Sequence, residues 1–79
     1  MTLKQLGPNQ TEVESCGNLY LFSYETGVAM RYNGKFYRTT RKWSQTTSNH
    51  INNWLKCYDN PETEYITQEE LDTGYFKSL

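Results

Sequence analysis

Asn33-Gly34 sits between two alternating runs, VAMRY at 28–32 and KFYRTT at 35–40. No other stretch limits the available folds as much. Both loop residues accept positive φ, so the pair closes a type I′ hairpin whose twist matches its strands. A two-residue loop also sets the register, and the register assigns side chains to faces. Val28, Met30, Tyr32, Lys35, Tyr37 and Thr39 fall on one face; Ala29, Arg31, Phe36 and Arg38 fall on the other. The first set reads as core, with Lys35 snorkelling at the tip. The second places Phe36 between two arginines.

The hairpin has company upstream. Residues 2–6 read as a short strand, and Gly7-Pro8-Asn9 is turn chemistry. Residues 11–16 alternate. Gly17-Asn18 has the Gly-first form of a type II′ loop. That loop puts Val13 opposite Phe22 and Ser15 opposite Tyr20, with Tyr20, Phe22 and Tyr24 sharing a face with Val13. Residues 19–24 are almost wholly aliphatic and aromatic, which favours a strand. Glu25-Thr26-Gly27 reads as the next turn.

Downstream the period changes. Residues 39–46 show none. Ile51, Trp54, Leu55 and Tyr58 then recur at i, i+3, i+4 and i+7, one apolar stripe of a helix. Thr47 or Ser48 is placed to cap it, and Asn60-Pro61 stops it. Thr67-Gln68-Glu69-Glu70 resembles a capping box that starts a short helix, with Tyr65, Ile66, Leu71, Tyr75 and Phe76 available to dock it. The expected fold is α+β: an antiparallel β-meander of four to five strands with a C-terminal helix packed on one face. Residues 1–58 form the core domain, and 59–79 an acidic segment docked on it. A sheet carrying one helix leaves much of its other face in water.

A chain of 79 residues is one small domain with a limited core. Seven Tyr, three Phe and two Trp therefore supply much of the buried volume. No apolar run is long enough to span a bilayer, and no apolar h-region follows Met1, so neither a membrane nor secretion is expected. Cys16 and Cys57 read as reduced, partly buried thiols. With one histidine and no metal spacing, no metal or other cofactor is implied. Phosphate-loop and paired-carboxylate patterns are missing too, so neither an enzyme nor a small-molecule substrate is expected.

The net charge is −1, yet its distribution is uneven. Residues 26–58 hold Arg31, Lys35, Arg38, Arg41, Lys42 and Lys56 and no acid, whereas 59–79 hold six acids against Lys77. The cations Arg31, Arg38, Arg41, Lys42 and Lys56 interleave with Phe36, Tyr37 and Trp43. Charges that track phosphates beside rings that stack bases suit single-stranded nucleic acid. A solvated face balanced by the acidic tail explains the same residues. Trp43 serves either as a plug over the core edge or as a stacking platform. Trp54 and Ile51 belong to the helix stripe. His50 lacks the acid and nucleophile of a catalytic set, so it reads, with Thr47, as part of a structural motif fixing the start of the helix.

SYETGVA (23–29), YRTTRKWS (37–44) and TTSNHINNWL (46–55) together resemble a small domain recurrent in tailed-phage genomes, including cyanophages. The likeness covers roughly residues 3–57, and Gly27 stands where those proteins usually have proline. It implies a phage protein acting in the host cytoplasm, with no settled function. Two readings follow besides nucleic-acid binding: an inhibitor or modulator of a host protein such as a defence complex, nuclease or polymerase, and a minor virion component. A second copy of the chain, giving a homodimer, is a further candidate partner.

Overall fold

The computed structural model describes residues 1–79, with every side chain except that of Ser78. Six strands form one sheet in sequence order: β1 (Thr2–Gly7), β2 (Gln10–Ser15), β3 (Asn18–Ser23), β4 (Thr26–Tyr32), β5 (Lys35–Thr39) and β6 (Thr63–Ile66). The first five are an antiparallel meander. The helix α1 (Gln45–Lys56) then crosses over, and β6 returns parallel to β5. The fold is α+β with a mixed sheet of six strands rather than four or five, and the helix precedes the last strand instead of ending the chain. Parallel neighbours need such a crossover, because a tight turn can only reverse the chain.

The turns show why the meander forms. Asn33 and Gly34 have φ of 52° and 81°, and Tyr32 pairs with Lys35, as a type I′ loop requires. The preceding hairpin differs from expectation. Its loop is Cys16-Gly17, with φ of 54° and 80°, so Ser15 pairs with Asn18 and Val13 with Tyr20. The register is displaced by two residues. A displacement of two keeps every side chain on its expected face. Between β3 and β4 the register slips again: Leu21 faces Ala29 while Phe22 faces Gly27, leaving Val28 as a bulge.

Both faces of the sheet are covered. On one, α1 buries Ile51, Trp54 and Leu55 against Leu19, Leu21, Val28, Ala29 and Phe36. On the other, the C-terminal residues pack over Val13, Tyr20, Met30 and Ile66. One face of a sheet carrying a single helix was expected to stay wet; neither does. Instead, Thr67 caps a helical turn at Gln68–Glu70, accepting from the Glu70 N–H, and the chain widens into a π turn at Leu71–Tyr75 before a 3₁₀ turn at Phe76–Ser78. The widening has a use. Five residues of α-helix would turn Phe76 about 140° away from Leu71. With the wider turn Leu71 is fully buried and Phe76 packs against the same cluster.

β1 and β6 are the edge strands, and Leu3 and Leu6 on β1 and Met1 just before it are exposed. Cys16 and Cys57 are free and exposed, not half-buried as expected. Among the described residues no helix is long and apolar enough to cross a membrane.

Candidate polyanion-binding cleft

The helix cap lies earlier than the Thr47 or Ser48 expected. Ser44 is the N-cap, and its hydroxyl accepts from the Thr47 N–H at 3.3 Å. The motif residues of α1 then turn inward together. Ser23 Oγ on β3 lies 3.0 Å from Thr47 Oγ1 and 2.7 Å from His50 Nδ1. This is a serine–histidine pair, but Ser23 is only 2% exposed and offers no approach to a substrate. Its geometry holds the start of α1 on the sheet.

At the other end of α1, Trp54 is 1% exposed. Its Nε1 donates to Glu12 Oε1 at 2.8 Å, and Tyr58 Oη donates to the same oxygen at 2.6 Å. Burial and the Glu12 carboxylate push the Tyr58 hydroxyl up to about 12. Phe36 completes a triangle of rings with Trp54 and Tyr58, centroids 5.5–5.6 Å apart.

This places the predicted binding residues in two groups. Phe36 lies under α1, 9% exposed, and presents no open face to a base. The face expected to display Arg31, Phe36 and Arg38 is the one the helix covers, because Phe36 is the apolar residue that Trp54 needs. Arg31 pairs with Phe36 near Tyr58, and Lys56 is exposed in the last turn of α1, where a cation complements the helix dipole. Neither lines the cleft described next. Arg38, Arg41, Lys42 and Trp43 do come together.

They line a cleft of about 260 Å³, with Thr39, Thr40, Ser48, Ile51 and Tyr65. Among the described residues no carboxylate lines it. The cleft opens where β5 ends and the crossover to α1 begins. Parallel strands place binding loops at this carboxyl end. Thr40 donates its N–H to Ile66 O and Arg41 donates its N–H to Thr39 Oγ1, so the linker is tied down as it leaves the sheet.

Each arginine leans on a ring. The Arg41 guanidinium lies 4.7 Å from the centre of Trp43, and that of Arg38 lies 5.3 Å from the centre of Tyr65. Asn52 Oδ1 accepts from Arg38 Nη1 at 3.2 Å. Trp43 is half-buried against the helix-side core, and its Nε1 donates to Gln68 Oε1 at 3.2 Å. Gln68 is buried, and its Nε2 donates to Gly27 O and to Asp72 Oδ1. The acidic segment thus braces the cleft and contributes Tyr65 to it.

Sequence reasoning missed Tyr65 and Gln68. β6 is four residues long, and its register, Arg38 opposite Tyr65, depends on a parallel pairing that no local pattern announces. Lys35, the remaining cation of the basic stretch, pairs with Glu64 at 3.0 Å on the exposed surface.

Neither a curated protein nor a solved structure shows a match to this chain. A family profile does match, over residues 1–73, which takes in the sheet, α1 and every residue of the cleft. The chain belongs to DUF8033, a family of unknown function.

Proposed function

We propose that the protein is a small, non-enzymatic binding module, phage-encoded and active in the host cytoplasm, that engages single-stranded nucleic acid through the Arg38–Arg41–Lys42 cleft. One observation carries the reading. Three cations and two aromatic rings line a single cleft that no acid among the described residues enters, in a chain whose net charge is −1. Such a cleft attracts a phosphate backbone locally although the whole molecule steers anions weakly. Tyr65, 65% exposed, and Trp43 are the rings within reach of a base, in place of the buried Phe36.

Fluorescence anisotropy of a labelled single-stranded oligonucleotide tests this. With three phosphate contacts, the logarithm of the affinity falls against the logarithm of salt with a slope of about −2. Arg41→Gln and Lys42→Gln, both on exposed side chains, each flatten that slope by about 0.7. Salt-independent binding, or none, overturns the proposal.

A second reading rests on β1. It is an edge strand; Leu3 on it is 68% exposed and Met1 just before it 82% exposed. An edge of this kind accepts a strand from another protein, which supports the host-protein modulator. Capture of a partner that Leu3→Lys abolishes, with the cleft intact, favours it over nucleic-acid binding.

A further inference from the structure

The cations are gathered, not spread, and this bears on what part of a strand they hold. A protein that follows a continuous single strand distributes its positive charge along a groove. Here Arg31 and Lys56 stand towards the far end of α1, and Arg38, Arg41 and Lys42 converge on one cleft of about 260 Å³. A phosphodiester inside a strand carries a single negative charge. A terminal phosphate monoester carries close to two near neutral pH, with three acceptor oxygens. Three converging cations match the second better than the first.

Arg38 adds an independent observation. Its Nη1 is held by Asn52. Its Nε, like that of Arg31 outside the cleft, is buried and has no hydrogen-bond partner among the described residues. A buried donor left unpaired is costly and calls for a partner. Nε and Nη2 form the side-on edge of the guanidinium, one of its two-donor edges for gripping phosphate in a fork. Asn52 occupies the opposite side. Tyr65 lies against the guanidinium and is 65% exposed.

We propose that the cleft is a terminal-phosphate pocket for a polynucleotide strand. The side-on edge of Arg38 grips the phosphate monoester, Arg41 and Lys42 neutralise it, and Tyr65 moves from Arg38 onto the terminal base. This deepens the nucleic-acid reading and rests on it.

The test uses the full chain and four probes: one oligonucleotide carrying a 5′-phosphate, a 3′-phosphate or hydroxyls at both ends, and the same sequence closed into a circle. One phosphorylated end should bind about tenfold more tightly than the hydroxyl-ended strand, the worth of one charge-assisted hydrogen bond. The circle should bind no better than the hydroxyl-ended strand. Arg38→Lys keeps the charge and removes the fork, so it should erase the preference for a phosphorylated end while retaining salt-sensitive binding. Lys42→Gln, on an exposed side chain, should weaken the same preference without risk to folding, and Lys4→Gln on β1 serves as the unaffected control. Inorganic phosphate should compete for the phosphorylated strand more strongly than for the circle. Equal, salt-sensitive binding of all four probes overturns the pocket and leaves nucleic-acid binding standing. No binding of any probe overturns both.

Discussion

Phe76 lies directly on Gly27. A Cβ at position 27 would fall within the van der Waals envelope of the Phe76 ring, and that ring meets Tyr20 and Phe22 edge-on at 5.3 and 5.1 Å. Gly27 also gives its carbonyl to Gln68. A missing side chain on β4 is thus the seat for the C-terminal segment.

Gly27→Ala should therefore destabilise the protein by about 1–3 kcal/mol, the usual cost of overpacking. Phe76→Ala should cost about 2 kcal/mol, less than for a wholly buried ring because Phe76 is half-buried. In the Phe76→Ala background the alanine at 27 should be nearly neutral. Urea denaturation of the four proteins closes the cycle, and additive effects would refute the contact.

The Ser23–Thr47–His50 cluster is predicted to be structural. Ser23→Ala removes one hydrogen-bond partner each from Thr47 and His50 and should cost about 1–2 kcal/mol. Oligonucleotide affinity of the folded variant should be unchanged, since Ser23 lies outside the cleft. A loss of affinity without a loss of stability would show that this cluster takes part in binding.

Tyr58 predicts a pH dependence. Its hydroxyl sits at about 12 in the folded chain against an ordinary 10, so the folded state favours the neutral phenol. That contribution is complete below pH 10 and is lost as pH rises towards 12. Thermal midpoints should fall over this window in the parent and fall less in Tyr58→Phe. Equal slopes in the two proteins would count against the assignment.

Gln68 is predicted to position Trp43. Trp54 is 1% exposed, so added quenching by acrylamide in a Gln68→Ala variant reports on Trp43. Quenching should rise, and oligonucleotide affinity should drop by about three- to tenfold, the scale of one lost hydrogen bond. Unchanged affinity with a freed Trp43 would remove that ring from the binding surface.

How legible was this in the residues? Asn33-Gly34 declared its own hairpin because both residues accept positive φ. Cys16 did not, since a cysteine at φ 54° has no compositional signal, and the neighbouring Gly17-Asn18 looked like the better loop. Ile51, Trp54 and Leu55 were readable as a stripe, and all three are buried. Which face they would cover was not. Two arginines beside Phe36 suggested an open surface, yet Phe36 is under the helix and only Arg38 reaches the cleft. Arg41, Lys42 and Trp43 were gathered by sequence proximity alone. Tyr65 joins them through a parallel pairing across 27 residues, from Arg38 to Tyr65, which is tertiary information.

That parallel pairing also sets a schedule. β1 to β5 join neighbour to neighbour, and each hairpin can close as soon as its own residues are available. β6 must wait for the whole crossover, and it brings Tyr65 and, just beyond, Gln68. A chain still emerging from the ribosome can hold a meander and its cations but not the cleft. The cleft is complete only once β6 and Gln68 have been made, so a partly made molecule carries the charge without the enclosure.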